Sequence, residues 1–170
     1  MLKKIGIAVA VLIVVLLAMP AMLPGTVHVE RSAQINVPPG AAYALLSDFN
    51  HFTKWSPWYE IDPGVKTEVT GQGVGSVYAW EGQQTGRGSM TITGLESNQR
   101  VDVKLAFVEP WQSEADCKWI ITEDGAGSKV TWAFDQNLPY MMRYFGLTMD
   151  KMLGADFERG LAKLKGVLEN

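Results

Sequence analysis

Hydrophobic and polar positions alternate from Val27 to Val37, where Val27, Val29, Ala33 and Ile35 share one face with Arg31. A period of two predicts a half-buried strand. Further strand-like segments follow at about residues 65–70, 75–82, 87–95, 100–109, 113–123 and 128–136, separated by short turns rich in Gly, Asn and Asp. Such short connections predict antiparallel neighbours, because parallel strands need a long crossover.

Two segments follow helical patterns instead. Pro38, Pro39 and Gly40 end the first strand and predict a short helix at about residues 41–47. After Pro139 the period becomes 3.6, and one stripe collects Met149, Leu153, Phe157, Leu161, Leu164 and Leu168. Together the elements predict an α+β fold in which a long C-terminal helix lies over one face of a curved antiparallel sheet of about seven strands.

The predicted strands have one polar face and one apolar face rich in tryptophan. The apolar set comprises Tyr78, Trp80, Met90, Ile92, Val103, Leu105, Phe107, Cys117, Trp119, Ile121, Val130, Trp132 and Phe134. Large rings pack irregularly and methionine adapts its shape, so this face is consistent with an enclosed pocket. A filled core is the alternative.

The segment SDFNHFTKWSPW (residues 47–58) places an aromatic ring at every third position. A tight helical turn, in which positions i and i+3 eclipse, would align Phe49, Phe52, Trp55 and Trp58 as one apolar stripe at one end of the sheet. His51 lies off this register. A structural role is favoured for it over acid or base catalysis, because a general base needs a positioned partner.

The N-terminal segment from Ile5 to Leu23 contains no charged or strongly polar side chain. As a helix it would extend about 28 Å, close to the thickness of a bilayer core. We therefore expect residues 1–25 to form a transmembrane anchor and residues 26–170 a single domain, with a cleaved signal peptide or a buried core helix as alternatives. Lys3 and Lys4 predict a cytoplasmic N-terminus in the inner membrane, which places the domain outside the cytoplasm.

Charge and composition exclude several kinds of chemistry. The net charge is -3, and the two lysines near the N-terminus leave the rest of the chain more acidic still, which argues against a nucleic-acid partner. With two histidines and one cysteine, widely spaced, we expect no metal site and no cofactor. Cys117 is expected to be a small buried apolar side chain. Arg31 either anchors an acidic ligand group, or it extends its charged end to solvent or pairs with a core acid near the strand end.

Three segments resemble the START-like (SRPBCC) superfamily, in its polyketide cyclase/dehydrase-like branch: RSAQINVPPGAAYALLSDFNHFTKWSPW, the MTIT strand preceded by glycines, and DFERGLAKLK. The resemblance covers about Val27 to Leu168. It implies the helix-grip fold, in which the C-terminal helix closes a deep hydrophobic cavity against the sheet, and it implies binding of lipids, polyketides, hormones or other apolar small molecules. Catalytic residues are not shared across this superfamily, so none is assigned.

These observations lead to a hypothesis of a non-catalytic, membrane-anchored binding domain for a lipid or another hydrophobic small molecule. The residues expected to line its cavity are Trp55, Trp58, Tyr78, Trp80, Met90, Phe107, Trp119, Trp132, Leu153 and Phe157. One alternative is a cyclase or dehydratase that uses a polar residue such as His51, Tyr78 or Glu81. Another is an interaction module of the cell envelope, docking through the exposed sheet face that carries Lys104 and Lys118.

Overall fold

The computed structural model describes residues 2–170, which form five α-helices, seven strands and three short 3-10 turns. The helices are α1 (Leu2–Ala18), α2 (Pro39–Leu46), α3 (Phe52–Trp55), α4 (Trp58–Ile61) and α5 (Arg143–Glu169). The strands are β1 (Thr26–Ile35), β2 (Lys66–Thr70), β3 (Val77–Gly82), β4 (Gly86–Glu96), β5 (Arg100–Glu109), β6 (Ser113–Asp124) and β7 (Gly127–Asn137). The 3-10 turns are Met19–Met22, Phe49–His51 and Tyr140–Met142.

The seven strands form one antiparallel sheet in the order β1-β7-β6-β5-β4-β3-β2. Consecutive strands from β2 to β7 are neighbours, and β1 pairs with β7 at the edge. Helices α2 to α4 carry the chain from the β1 edge to the β2 edge. The sheet and the long helix α5 confirm the α+β fold expected from the alternating pattern and the helix-grip arrangement that the family resemblance implies.

One end of the sheet, here called the α1 end, is the end where the chain enters from α1. Thr26 begins β1 there and pairs with Asn137, the last residue of β7. Because all neighbours are antiparallel, the β3–β4 turn, the β5–β6 turn and the start of α5 lie at this same end. The turns after β2, β4 and β6 lie at the opposite end.

Helix α5 packs closely along β1 because small residues face the sheet. A Cβ on Gly146 would lie 3.0 Å from side-chain atoms of Val27 and Leu138. A Cβ on Gly160 would lie 2.7 Å from the Trp132 ring. These close approaches fix the distance of the helix from the sheet edge.

Arg31 ties β1 to α5 from the apolar face of the strand. Its Nε donates to Glu158 Oε1 at 2.9 Å, and its Nη1 donates to Asp150 Oδ1 at 3.0 Å. Gly154 lies between these two acids on the helix, and a Cβ there would overlap the guanidinium. The hydrogen bond from Arg31 lowers the pKa of Asp150. The structure thus pairs Arg31 of β1 with two acids of α5. Pairing with an acid was one of the roles expected for Arg31, but these partners are exposed rather than in the core.

Helix α1 is the N-terminal apolar segment, and Lys3–Met22 is long and apolar enough to cross a membrane. The chain around the start of α5 binds carbonyls at the end of this apolar segment. Tyr140 Oη, in the 3-10 turn before α5, donates to Leu17 O at 2.8 Å, and Arg143 Nη1 donates at 3.1 Å to Pro20 O in the 3-10 turn after α1. Tyr144 Oη donates to Leu16 O. The last carbonyls of a helix lack partners within it, so these side chains cap α1.

The aromatic segment departs from the single stripe predicted for it. The 3-10 turn Phe49–His51 is followed by the α-helical turn α3, and Ser56 and Pro57 then break the helix before α4. The eclipsed spacing is therefore not maintained. Phe49 and Trp55 are enclosed in the core, whereas Phe52 and Trp58 reach the cavity described below.

We predict that the effect of Gly154→Ala on stability changes sign with the residue at position 31. In the wild-type chain the new methyl group displaces the Arg31 guanidinium, so thermal unfolding should occur at a lower temperature. In an Arg31→Ala background the clash is gone, and the higher helix propensity of alanine should stabilise the protein by up to about 1 kcal/mol. The measurement is thermal and chemical unfolding of the detergent-solubilised chain.

Gly166→Ala is the matched control for that experiment, because nothing lies within 4 Å of its Cβ. It should be neutral or stabilising in both backgrounds. An equal loss of stability from Gly154→Ala with and without Arg31 would contradict the close packing of the Arg31 guanidinium against Gly154.

Candidate functional site

A cavity of about 450 Å³ lies between the concave face of the sheet and the first half of α5. Ligand pockets for small molecules commonly range from about 300 to 1,000 Å³. The wall includes eight of the ten residues expected to line it: Trp58, Tyr78, Trp80, Met90, Phe107, Trp132, Leu153 and Phe157. The wall is mostly aromatic and aliphatic. The role of these eight residues in binding a ligand stays a prediction.

Trp55 and Trp119 correct the expected lining set. Each is only 1% exposed, and their rings meet edge to face with centroids 5.3 Å apart, behind the cavity wall. Trp55 also meets Trp132 at 5.3 Å, so both indoles fill the space between α3 and the sheet. Strand parity correctly puts Trp119 on the concave face. Parity does not show how far along the strand the ring lies. At the position of Trp119, α3 already covers the concave face.

The wall formed by β3 to β5 depends on a glycine. Trp80 lies over Gly88, where any Cβ would overlap the indole, and its ring centroid is 5.8 Å from that of Phe107. Trp80 Nε1 donates to Thr85 O at 3.3 Å. The indole therefore lies flat against the sheet with its polar atom satisfied, and it presents an apolar surface to the cavity.

Asp62 shapes the rim of the cavity at the β3–β4 turn. Its Oδ2 accepts hydrogen bonds from the backbone N–H of Gln84 at 2.8 Å and of Thr85 at 3.1 Å. These backbone hydrogen bonds lower the pKa of Asp62. Gln84 and Thr85 line the cavity. The buried carboxylate thus holds the turn, and nothing indicates that it acts as a chemical group in the cavity.

Several residues of the site were missed by sequence reasoning. Trp111 and Pro110 belong to the β5–β6 turn, and Met149 lies on the flank of α5. The parity of a strand gives no information on turn residues. The structure leaves Trp111 54% exposed. The signal available from the sequence was a tryptophan placed in a short turn between two predicted strands.

Two buried titratable groups of the wall, Tyr78 and Cys117, are protonated at neutral pH. Burial raises the pKa of the Tyr78 phenol to about 12. Burial also raises the pKa of the Cys117 thiol to about 12, and Trp132 Nε1 donates to its Sγ at 3.1 Å. A general base or a nucleophile must be available in its deprotonated form. Neither group provides that near pH 7.

The other residues considered for chemistry lie outside the cavity wall. His51 Nε2 is 3.9 Å from Asp48 Oδ2, in the turn before α3. Glu81 is exposed on β3. Arg31 is occupied by α5, as described above. Within residues 2–170, no group of three or more His, Cys, Asp or Glu side chains is arranged to hold a metal ion.

The outer face of the sheet carries paired charges. Lys104 Nζ is 3.2 Å from Glu114 Oε2 and 3.4 Å from Asp116 Oδ1. Lys118 is exposed opposite Asp102 on the neighbouring strand. Exposed ion pairs of this kind contribute little to stability. This face is polar and solvated.

Comparison with known proteins agrees with this architecture. The family model described as "Polyketide cyclase / dehydrase and lipid transport" matches residues 26–169. No curated protein matches the sequence at a significant level.

Among solved structures, the chain is similar to the KanY protein (22% identity, TM-score 0.63, covering 86% of this chain and 100% of that one). It is also similar to protein CV1439 from Chromobacterium violaceum (15% identity, TM-score 0.61, covering 87% and 99%). The di-domain ARO/CYC protein StfQ of the steffimycin biosynthetic pathway has 13% identity and a TM-score of 0.62, with 85% of this chain and 51% of StfQ covered. At these identities the likeness shows the fold alone. From the family match over residues 26–169, the chain belongs to the polyketide cyclase/dehydrase and lipid transport family.

Proposed function

We propose that this protein is a membrane-anchored binding protein for a lipid or another hydrophobic small molecule, which it holds between the sheet and α5. The observation that carries the proposal is the apolar cavity of about 450 Å³. Each 100 Å² of apolar ligand surface removed from water there would contribute about 2.5 kcal/mol. Part of that gain is offset by the lost freedom of the ligand.

The chemistry of the cavity wall supports binding over catalysis. A cyclase or dehydratase needs at least two convergent polar groups, one of which transfers a proton. Tyr78 and Cys117 hold their protons up to strongly alkaline pH, and His51 lies outside the wall. An enzyme remains the alternative function, with Tyr78 as the only one of its suggested residues that lines the cavity.

The first prediction concerns ligand occupancy. Leu153→Trp adds an indole to the cavity wall, and we expect it to reduce the copurifying or added hydrophobic ligand several-fold. Ala162→Trp is the matched control, because Ala162 is exposed on the same helix outside the cavity, and it should retain wild-type binding. The measurement is native mass spectrometry of the detergent-solubilised full chain, with extraction of bound lipids and thermal unfolding in a panel of lipids.

A wild-type chain that is free of ligand and whose unfolding temperature is unchanged by the whole panel would contradict the binding proposal. Equal losses in Leu153→Trp and Ala162→Trp would show that the effect does not arise in the cavity.

The second prediction concerns Cys117. With its pKa at about 12 against 9.0 for a free thiol, the fraction of thiolate at pH 8 falls about a thousandfold. We therefore expect alkylation of the native chain to be slower than that of the urea-unfolded chain by at least this factor. Rapid native alkylation would contradict the burial of Cys117 and would favour the enzyme alternative.

Cys117 also gives a pH dependence with a definite sign. Between pH 9 and about 12 the unfolded thiol loses its proton while the folded thiol keeps it, so the unfolded state binds fewer protons. The free energy of unfolding should fall as pH rises through this window, by up to about 1.4 kcal/mol per pH unit from this group. In a Cys117→Ala variant the decline over this window should be shallower.

The third prediction concerns membrane topology. We propose that α1 spans the inner membrane with its N-terminus in the cytoplasm, as Lys3 and Lys4 favour. A thiol introduced by Ala126→Cys, in the exposed β6–β7 turn, should then react with an impermeant maleimide added to cells with a permeabilised outer envelope. The wild-type chain is the blank, because Cys117 is buried. Labelling that appears only after the inner membrane is lysed would reverse the orientation.

A further inference from the structure

The exposed apolar side chains of the domain are concentrated at one end. Among the described residues after Met22, ten large hydrophobic side chains are exposed, and only Val74 and Val167 lie far from the α1 end. The other eight lie on α4, at the end of β5 and in the β5–β6 turn, or between Tyr140 and Met152. A soluble surface would scatter such residues.

Four of them lie on the β5–β6 turn and on or just before the first part of α5, beside the cavity, and are here called the rim patch: Trp111, Met141, Phe145 and Met152. The Trp111 and Phe145 rings lie 6.3 Å apart between centroids, which joins the β5–β6 turn to α5. Phe145 and Met152 are seven residues apart and so share one flank of α5, and Met141 lies in the 3-10 turn directly before the helix. The exposed fractions of the four side chains range from 52% to 66%.

The cavity reaches the surface at the rim patch. Its wall includes Trp111 and Met149, which lies on the same flank of α5 as Phe145 and Met152. Its remaining exposed members, Tyr59, Gln84, Glu109 and Pro110, also lie at the α1 end. No residue from the turns after β2, β4 or β6 lines it, so within the described chain the opening is at the α1 end.

Helix α1 ends close to this opening. Only Leu23, Pro24 and Gly25 separate the apolar span from β1, and three residues reach about 10 Å when fully extended. Tyr140, Arg143 and Tyr144 bind carbonyls at the end of α1, and Tyr144 and Phe145 are consecutive residues on different flanks of α5. The domain is therefore held against whatever surface α1 enters.

We propose that the rim patch rests in the interface of the bilayer that α1 spans, so that the cavity opens toward the membrane and exchanges its ligand with it directly. This rests on the proposed anchoring of α1. The tryptophan and tyrosines at this end suit the interface, where an amphipathic ring has one side in the apolar region and the other in water. A bilayer covers the patch without a protein partner.

The experiment places a fluorophore on the patch in the full chain reconstituted in phosphatidylcholine vesicles. Met152→Cys labelled with an environment-sensitive dye should show a blue-shifted emission and several-fold stronger quenching by spin-labelled lipid than labelled Ala126→Cys at the opposite end. Equal quenching at the two positions would overturn the proposal. A blue shift without quenching by lipid would also overturn it, since it would mean that a protein covers the patch.

A second variant tests the exchange of ligand. Phe145→Ser combined with Met152→Ser, two residues of the rim patch outside the cavity wall, should slow the transfer of a fluorescent fatty acid between vesicles and the reconstituted chain several-fold, while the amount bound at equilibrium in detergent stays unchanged. Unchanged transfer would overturn direct exchange with the bilayer. If the chain binds none of the hydrophobic probes in detergent but Met152→Cys is still quenched by lipid, the binding function fails and the membrane contact stands.

Discussion

The docking of one helix along one edge of a wide sheet is the constraint from which the rest of the structure follows. A seven-stranded sheet exposes more apolar area on its concave face than a single helix can cover. Arg31 and the small residues facing β1 hold α5 near the β1 edge. The concave face of β3, β4 and β5 is then left without a covering helix over part of its length. The cavity is this uncovered volume.

The size of that volume is limited by the aromatic cluster at the end opposite α1. Phe49, Trp55 and Trp119 pack edge to face, and the Trp132 and Phe157 rings stack with centroids 4.4 Å apart. Edge-to-face and stacked pairs favour definite geometries beyond their area burial. The cluster thus forms a rigid closed end of the cavity, and the unfilled part of the cavity lies toward the α1 end.

Much of this arrangement follows from sequence periodicity, and the exceptions have physical reasons. Alternation gives the face of each strand, so the concave side and most of the wall were predictable. Alternation does not show which part of that face another element covers, and for this reason Trp119 was expected to line the cavity although α3 covers it. The partners of Arg31 are more than a hundred residues away in sequence, and only the assembled fold brings Asp150 and Glu158 to it. The rim residue Trp111 lies in a turn, where no periodicity applies.

A cavity that opens toward a bilayer changes what selects its ligand. Moving an apolar chain from lipid into an apolar cavity removes no surface from water, so the hydrophobic gain that retains a ligand against water is nearly absent. Selection then depends on shape and on the few polar groups of the wall, among them Tyr78 and Gln136. A neutral phenol, kept protonated by burial, can donate a hydrogen bond to a ligand oxygen without introducing charge. Under the proposed binding function, we therefore expect the preferred ligand to be one whose polar atom meets such a donor while its apolar part fits against the aromatic cluster.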